Sequence, residues 1–192
     1  MICSDLNNEL REIMKYSTYL APGVMALILA ATTGTAFSAQ VELVKPEHLI
    51  VDKNLPQTQL AANEYVAREY ATFWNTGKES LARDALAINF SDKTPPEGRK
   101  QGPDGAILAS RAFRSAVPDL RCDVEQMIIS GNRVVSHLHF RGTFTGTFGK
   151  LKGMGQKIDF IATDIYEISE GKIVANWHIE DNLTLMKQLG AL

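Results

Sequence analysis

Hydrophobic periodicity constrains this 192-residue chain most, because it changes near Leu120. Before that point, Tyr65, Val66, Tyr70, Phe73 and Trp74 recur at three- and four-residue steps, the period of one helix face. The spacing predicts a helix from about Gln59 that Asn75-Thr76-Gly77 ends. It predicts a second helix over Glu79–Ala87, and a third over Gly105–Val117 that Asp104 caps and Pro118 stops. Between them, Phe90–Pro103 carries three prolines and reads as a loop. After Leu120 the alternation is that of strands: Leu120–Ser130, Arg133–Gly146, Lys157–Ser169 and Lys172–Asp181. Gly131-Asn132 and Glu170-Gly171 read as tight turns, Thr147–Gln156 as a Gly/Lys-rich loop, and Leu183–Leu189 as a final short helix.

Helices followed by an antiparallel meander make an α+β fold. Long antiparallel strands twist and coil, so helices packed on the concave side leave a pocket at the open end. The length suits one ordinary domain. A hydrophobic fraction of 45% with 22% charged residues excludes disordered and collagen-like classes. Net charge is −2 and no Lys/Arg run occurs, so no nucleic-acid partner is expected.

The N-terminus reads separately. Tyr19–Ala31 is an apolar run too short to span a bilayer, Lys15 precedes it, and Ala36-Phe37-Ser38 fits a cleavage site. The expectation is a signal over residues 1–39, cut near Ser38/Ala39, with a periplasmic or secreted product and no stable membrane anchor. Within Met1–Ile13, Asp5, Glu9 and Glu12 oppose one Arg11 where a leader should be net positive, which points to a true start at Met14. Residues 40–58, with Pro46 and Pro56, read as an extended arm or linker, and 59–192 as the domain. Cleavage would remove Cys3 and leave Cys122 as a small buried residue without a disulfide partner.

If Glu170-Gly171 is a two-residue turn and pairing is regular, Asp164 meets Trp177 and Phe160 meets Asp181. One face of the hairpin then carries Phe160, Ala162, Asp164, Tyr166, Trp177, Ile179 and Asp181. This is the more apolar face and is expected to be concave. A carboxylate shut among aromatics has a raised pKa and suits acid/base work. The spacing leaves two arrangements for Asp181: inside the pocket, or capping the helix that follows in solvent. Asp164 reads as a structural partner of a Tyr or Arg. His137 and His139 share a face, but no third ligand has fitting spacing, so no metal site is expected. No nucleophile elbow, metalloprotease motif or phosphate-binding loop is present.

Several segments resemble the SnoaL-like polyketide cyclases of the NTF2-like superfamily. They are Ala116-Val117-Pro118-Asp119-Leu120, Gly131-Asn132-Arg133-Val134-Val135, Arg141-Gly142-Thr143-Phe144-Thr145-Gly146, Glu170-Gly171-Lys172-Ile173-Val174, Trp177-His178-Ile179-Glu180-Asp181-Asn182 and Gln188-Leu189-Gly190. Their order and spacing are the family's, from about Leu60 to the C-terminus. The resemblance implies a cone-shaped α+β barrel, a homo-oligomer (dimer or tetramer), and ring closure by intramolecular aldol condensation without metal or organic cofactor. It implies that Asp181 is the acid/base, with Trp177, Asp164, Tyr166, Phe160, Phe144, Tyr70 and Trp74 around a small apolar substrate. Phe144 stands where relatives often have His, which predicts a greasier site. Two functions are open: an acid/base cyclase or isomerase acting on an apolar carbonyl compound, and an exported, non-catalytic ligand-binding protein.

Overall fold

The computed structural model describes residues 41–192, so the expected leader over 1–39 lies outside the described residues. Strand β1 (His48–Val51) precedes helix α1 (Gln57–Thr76) and helix α2 (Glu79–Ala85). Strand β2 (Leu86–Asp92), helix α3 (Pro103–Ala116), β3 (Arg121–Ser130) and β4 (Arg133–Phe144) follow. A two-stranded ribbon, β5 (Thr147–Phe148) with β6 (Leu151–Lys152), leads to β7 (Gln156–Ser169), β8 (Lys172–Glu180) and helix α4 (Asn182–Leu189). The α+β expectation holds. One mixed sheet has the order β1-β3-β4-β7-β8-β2, with both edge strands parallel to their neighbours.

Local chemistry accounts for most boundaries. Helix α1 ends at Gly77, whose φ of 73° is easy only for a residue without a Cβ. Glu170 and Gly171 both have positive φ, the signature of the hairpin turn that matches strand twist. A Cβ on Gly146 would lie 1.8 Å from the Ser115 carbonyl oxygen, so only glycine lets the end of β4 close on α3. Helix α1 lays Val66, Tyr70 and Phe73 on the sheet, where Cys122, Val124, Met127, Ile129, Val134, Leu138 and Tyr166 complete the core.

Four details differ from the sequence reading. The 40–58 arm contains β1 and is pinned to α1, since Arg68 donates to the Val44 carbonyl at 2.9 Å and Val44 N–H donates to Thr72 Oγ1 at 2.9 Å. Leu86–Asp92 is an edge strand where a helix end and a loop were expected. Asp104 does not cap α3. Gly102 takes that position with no side-chain bond, and Asp104 sits in the first turn beside Arg83 at 3.0 Å. The expected loop at Thr147–Gln156 holds the β5–β6 ribbon.

Candidate active site

The site is decided by one extra residue. Ser169 faces Lys172 and Ile168 faces Ile173, as a two-residue turn requires, but Glu167 then pairs with Ala175. Val174 is bulged out. Beyond it the register shifts by one, and a one-residue shift turns every later side chain to the opposite face. Asp164 therefore pairs with His178, Tyr166 with Asn176 and Ala162 with Glu180. Asn176, His178 and Glu180 point inward, while Trp177, Ile179 and Asp181 leave the concave face.

These inward groups close the polar end of a cavity of about 390 Å³. Its lining includes the rings of Tyr70, Trp74, Phe90, Phe113, Phe140, Phe148 and Phe160, together with Pro96, Arg99, Lys100, Asn182 and Met186. Phe140 and Phe160 stack at 5.2 Å between centroids, with Trp74 and Phe113 edge-on to them at 6.1 and 6.0 Å. The arrangement gives a cavity walled largely by aromatic rings, suited to an apolar ligand.

At the polar end His178 is gripped twice. Nδ1 lies 2.7 Å from Glu180 Oε1, and Nε2 lies 3.0 and 3.1 Å from the two Asp92 oxygens. Thr94 fixes the strand there by exchanging hydrogen bonds with the His178 backbone at 2.8 and 2.9 Å. Arg99 reaches Asp92 at 3.5 Å. Burial alone would lower the His178 pKa. The Glu180 hydrogen bond and the charges of Glu180, Asp164 and Asp92 outweigh it and lift the imidazolium to about 9. Glu180 is held below the usual range: its burial works against ionisation, and the bond to His178 and its charge prevail.

Asp164 is one of two buried carboxyl groups in the cavity lining, 5% exposed, the other being Asp92. Burial pushes its pKa to about 6, and the Tyr166 hydroxyl, donating at 2.8 Å, together with the His178 charge and Asn176 keeps it from rising further. A carboxyl poised near neutrality beside a fixed cation can hold or release a proton at physiological pH. Tyr70 also faces the cavity, and burial and the Asp164 charge push its phenol up, so it stays a hydroxyl donor.

The expected site residues separate accordingly. Phe160, Asp164, Tyr70 and Trp74 line the cavity. Tyr166 lies behind Asp164, fully buried, and acts through it. Phe144 is sealed in the core and is no part of the wall, so it does not make the site greasier. Trp177 faces outward under the Arg133 guanidinium, 5.5 Å from its ring centroid. Asp181 corrects the reading most. It is the N-cap of α4, accepting from Thr184 N–H at 3.0 Å, and this bond holds its carboxyl below the usual range. That is the solvent arrangement the spacing left open; the bulge carries Asp181 out of the cavity. Sequence reasoning missed Asp92, Arg99, Asn176, His178 and Glu180. No residue type marks Val174 as a bulge, and Asp92 and Arg99 sat in a presumed loop. His137 and His139 lie on the outer face, bonded to Thr163 and Asp159 at 2.8 and 2.7 Å.

The profile of the SnoaL-like polyketide cyclases matches residues 64–189. The chain belongs to the SnoaL-like polyketide cyclase family. A candidate polyketide cyclase from Bacillus cereus ATCC 10987 is 38% identical, with a TM-score of 0.73 over 79% of this chain and 95% of that one. IdmH, a candidate polyketide cyclase from Streptomyces antibioticus, is 21% identical, with a TM-score of 0.60 over 67% and 98% of the two chains. AclR, a candidate hydroxylase from Streptomyces galilaeus, is 20% identical, with a TM-score of 0.61 over 69% and 87%. The last two share the fold alone. No curated protein matches the sequence. In this SnoaL-like chain the cavity is walled by aromatic rings, and Asp164 on β7 lines it.

Proposed function

We propose that the protein is an acid/base catalyst of the cyclase or isomerase type acting on an apolar carbonyl compound, with Asp164 as the proton-transferring group. The observation that carries this reading is a buried carboxyl, poised near neutrality, in the lining of an aromatic cavity. The Asp164 carboxylate takes a proton from the carbon next to a substrate carbonyl. The Tyr70 hydroxyl donates to the enolate oxygen that develops. The enolate carbon attacks a second carbonyl of the same molecule, a C–C bond forms, and the alkoxide takes the proton back from Asp164. The product is an isomer of the substrate, so atoms and electrons balance without a co-reactant. His178, saturated by its own partners, contributes charge that favours the ionised Asp164.

The test follows exchange of acidic C–H for deuterium by NMR in 1,3-dicarbonyl and tetralone compounds. Asp164→Asn is expected to slow exchange by about a hundredfold or more while the cavity still binds. Exchange at the wild-type rate in that variant would overturn the assignment.

Two further expectations belong to the same proposal. The outer face of β4, β7 and β8 exposes Ile161, Ile165 and Ile179 beside Trp177, which favours a homo-oligomer built on this face. Export rests on the sequence pattern at residues 1–39, and a mature N-terminus near Ala39 in the periplasmic or secreted fraction is its test.

A further inference from the structure

Resting on that acid/base reading, the basic side chains of the same cavity define the substrate more closely. Six charged groups line it: Arg99, Lys100 and His178 against Asp92, Asp164 and Glu180. The carboxylates are committed elsewhere. Glu180 bonds His178 Nδ1, and the Tyr166 hydroxyl donates to Asp164. Asp92 is met by His178 Nε2 at 3.0 Å and accepts from Thr94 N–H at 3.1 Å. Arg99 is left with a share of Asp92 at 3.5 Å, and that contact with a buried lining residue holds its guanidinium on the cavity side. The guanidinium makes no hydrogen bond to another described residue. Its side chain is 22% exposed and, unlike Arg114 Nε, none of its nitrogens is sealed off. Lys100 is exposed and makes no ion pair among the described residues.

The segment that carries both cations is fixed by bonds that leave these two side chains free. Gln101 clamps the Asp92 backbone, accepting from its N–H at 2.8 Å and donating to its carbonyl at 3.0 Å. Arg99 N–H donates to the Pro96 carbonyl and Gly102 N–H to the Phe90 carbonyl, both at 3.1 Å. A Cβ on Gly105 would lie 1.9 Å from the Lys100 carbonyl oxygen, so a glycine there lets α3 start against this segment. An arginine held in place with its donors accessible and unused, in a cavity that is otherwise mostly aromatic, calls for an anionic acceptor.

We propose that Arg99, with Lys100 next to it, forms a carboxylate-binding subsite, and that the substrate is an apolar carbonyl compound bearing one acid group. The guanidinium fork matches a carboxylate through two parallel N–H···O bonds. Asp164 pairs with His178, His178 bonds Asp92, and Asp92 meets Arg99. The acid group and the acidic C–H are therefore two parts of one small molecule, the first seated on Arg99 and the second turned to Asp164.

The test is a binding series by calorimetry at pH 7 on the purified protein, with naphthalene-2-carboxylate, its methyl ester and 2-acetylnaphthalene. The three share one ring system and differ in charge. The wild type is expected to bind the carboxylate about tenfold more tightly than either neutral analogue, the worth of a charge-assisted pair. Arg99→Gln should bring the three within about twofold, and Asp164→Asn should keep the preference. Equal binding of all three by the wild type would overturn the proposal without requiring any variant to fold. So would a preference that survives when Arg99→Gln and Lys100→Gln are combined. If the preference holds while Asp164→Asn still exchanges protons at full rate, the catalytic reading fails and the subsite stands. If exchange needs Asp164 while the three ligands bind alike, the subsite fails alone.

Discussion

Asp164 and His178 face each other across two strands, and their charges set the pH behaviour of the site. The reactive form of Asp164 is the carboxylate, so kcat/KM should rise through pH about 6. Loss of the His178 proton near pH 9 should leave the rate on its plateau, because a carboxyl that titrates near 6 is already ionised there. The two groups act on stability in the same sense, in different windows. His178 has a folded value of about 9, above 6.5, so its contribution is complete below 6.5 and is lost as pH rises through 9. Asp164, raised from 3.8 to about 6, favours the fold below 3.8 and loses that effect as pH climbs through 6. Denaturant midpoints of Asp164→Asn are therefore expected to equal or exceed wild type at pH 8 while exchange is abolished. His178→Gln should instead cost about 3 kcal/mol at pH 7, because Asp92 and Glu180 lose their shared cation. Asp181→Ala separates the two aspartates. It should lower the thermal midpoint by about 3 °C through loss of the α4 cap and leave exchange intact.

The β7–β8 hairpin shows what an element can hide. Its turn, its strand lengths and its β7 face were legible in the sequence: Phe160, Asp164 and Tyr166 are where alternation put them. The β8 face was not. Alternation assigns sides only while the register is regular, and nothing in Lys172–Glu180 announces that Val174 stands outside it. The assumption that the apolar face looks inward added to the error. Here Ile179 is 76% exposed while His178 is buried, because the inner face serves a polar site and the outer face is apolar for another reason. The short edge strands were missed because each pairs in parallel with a partner far along the chain, Ile50 with Ile128 and Asp92 with Asn176. Deleting Val174 should remove the bulge and keep the pairing, since Glu167 already faces Ala175, so Asn176, His178 and Glu180 stay inward. The expected result is retained ligand binding and an imidazole that still titrates near 9; a fall toward the ordinary value near 6.5 would show that the register had slipped.

For the whole molecule, the two faces of the sheet differ in character. Inside, aromatic rings from α1, α3, β4 and β7 converge on the cavity. Outside, Val135, Ile165 and Trp177 form one cross-strand row and His137, Thr163 and Ile179 the next. Ile179→Glu is expected to shift sedimentation toward the monomer while keeping the affinity for 2-tetralone, since the two faces share only backbone. Cys122 lies on the inner side, in the core, at 0% exposure, with burial and nearby carboxylates pushing its thiol up. Reagents such as iodoacetamide attack thiolates, so they must wait until the interior opens. The rate of Cys122 alkylation is thus a built-in clock for that opening, readable by mass without any label. A ligand seated in the cavity should slow it in proportion to its occupancy.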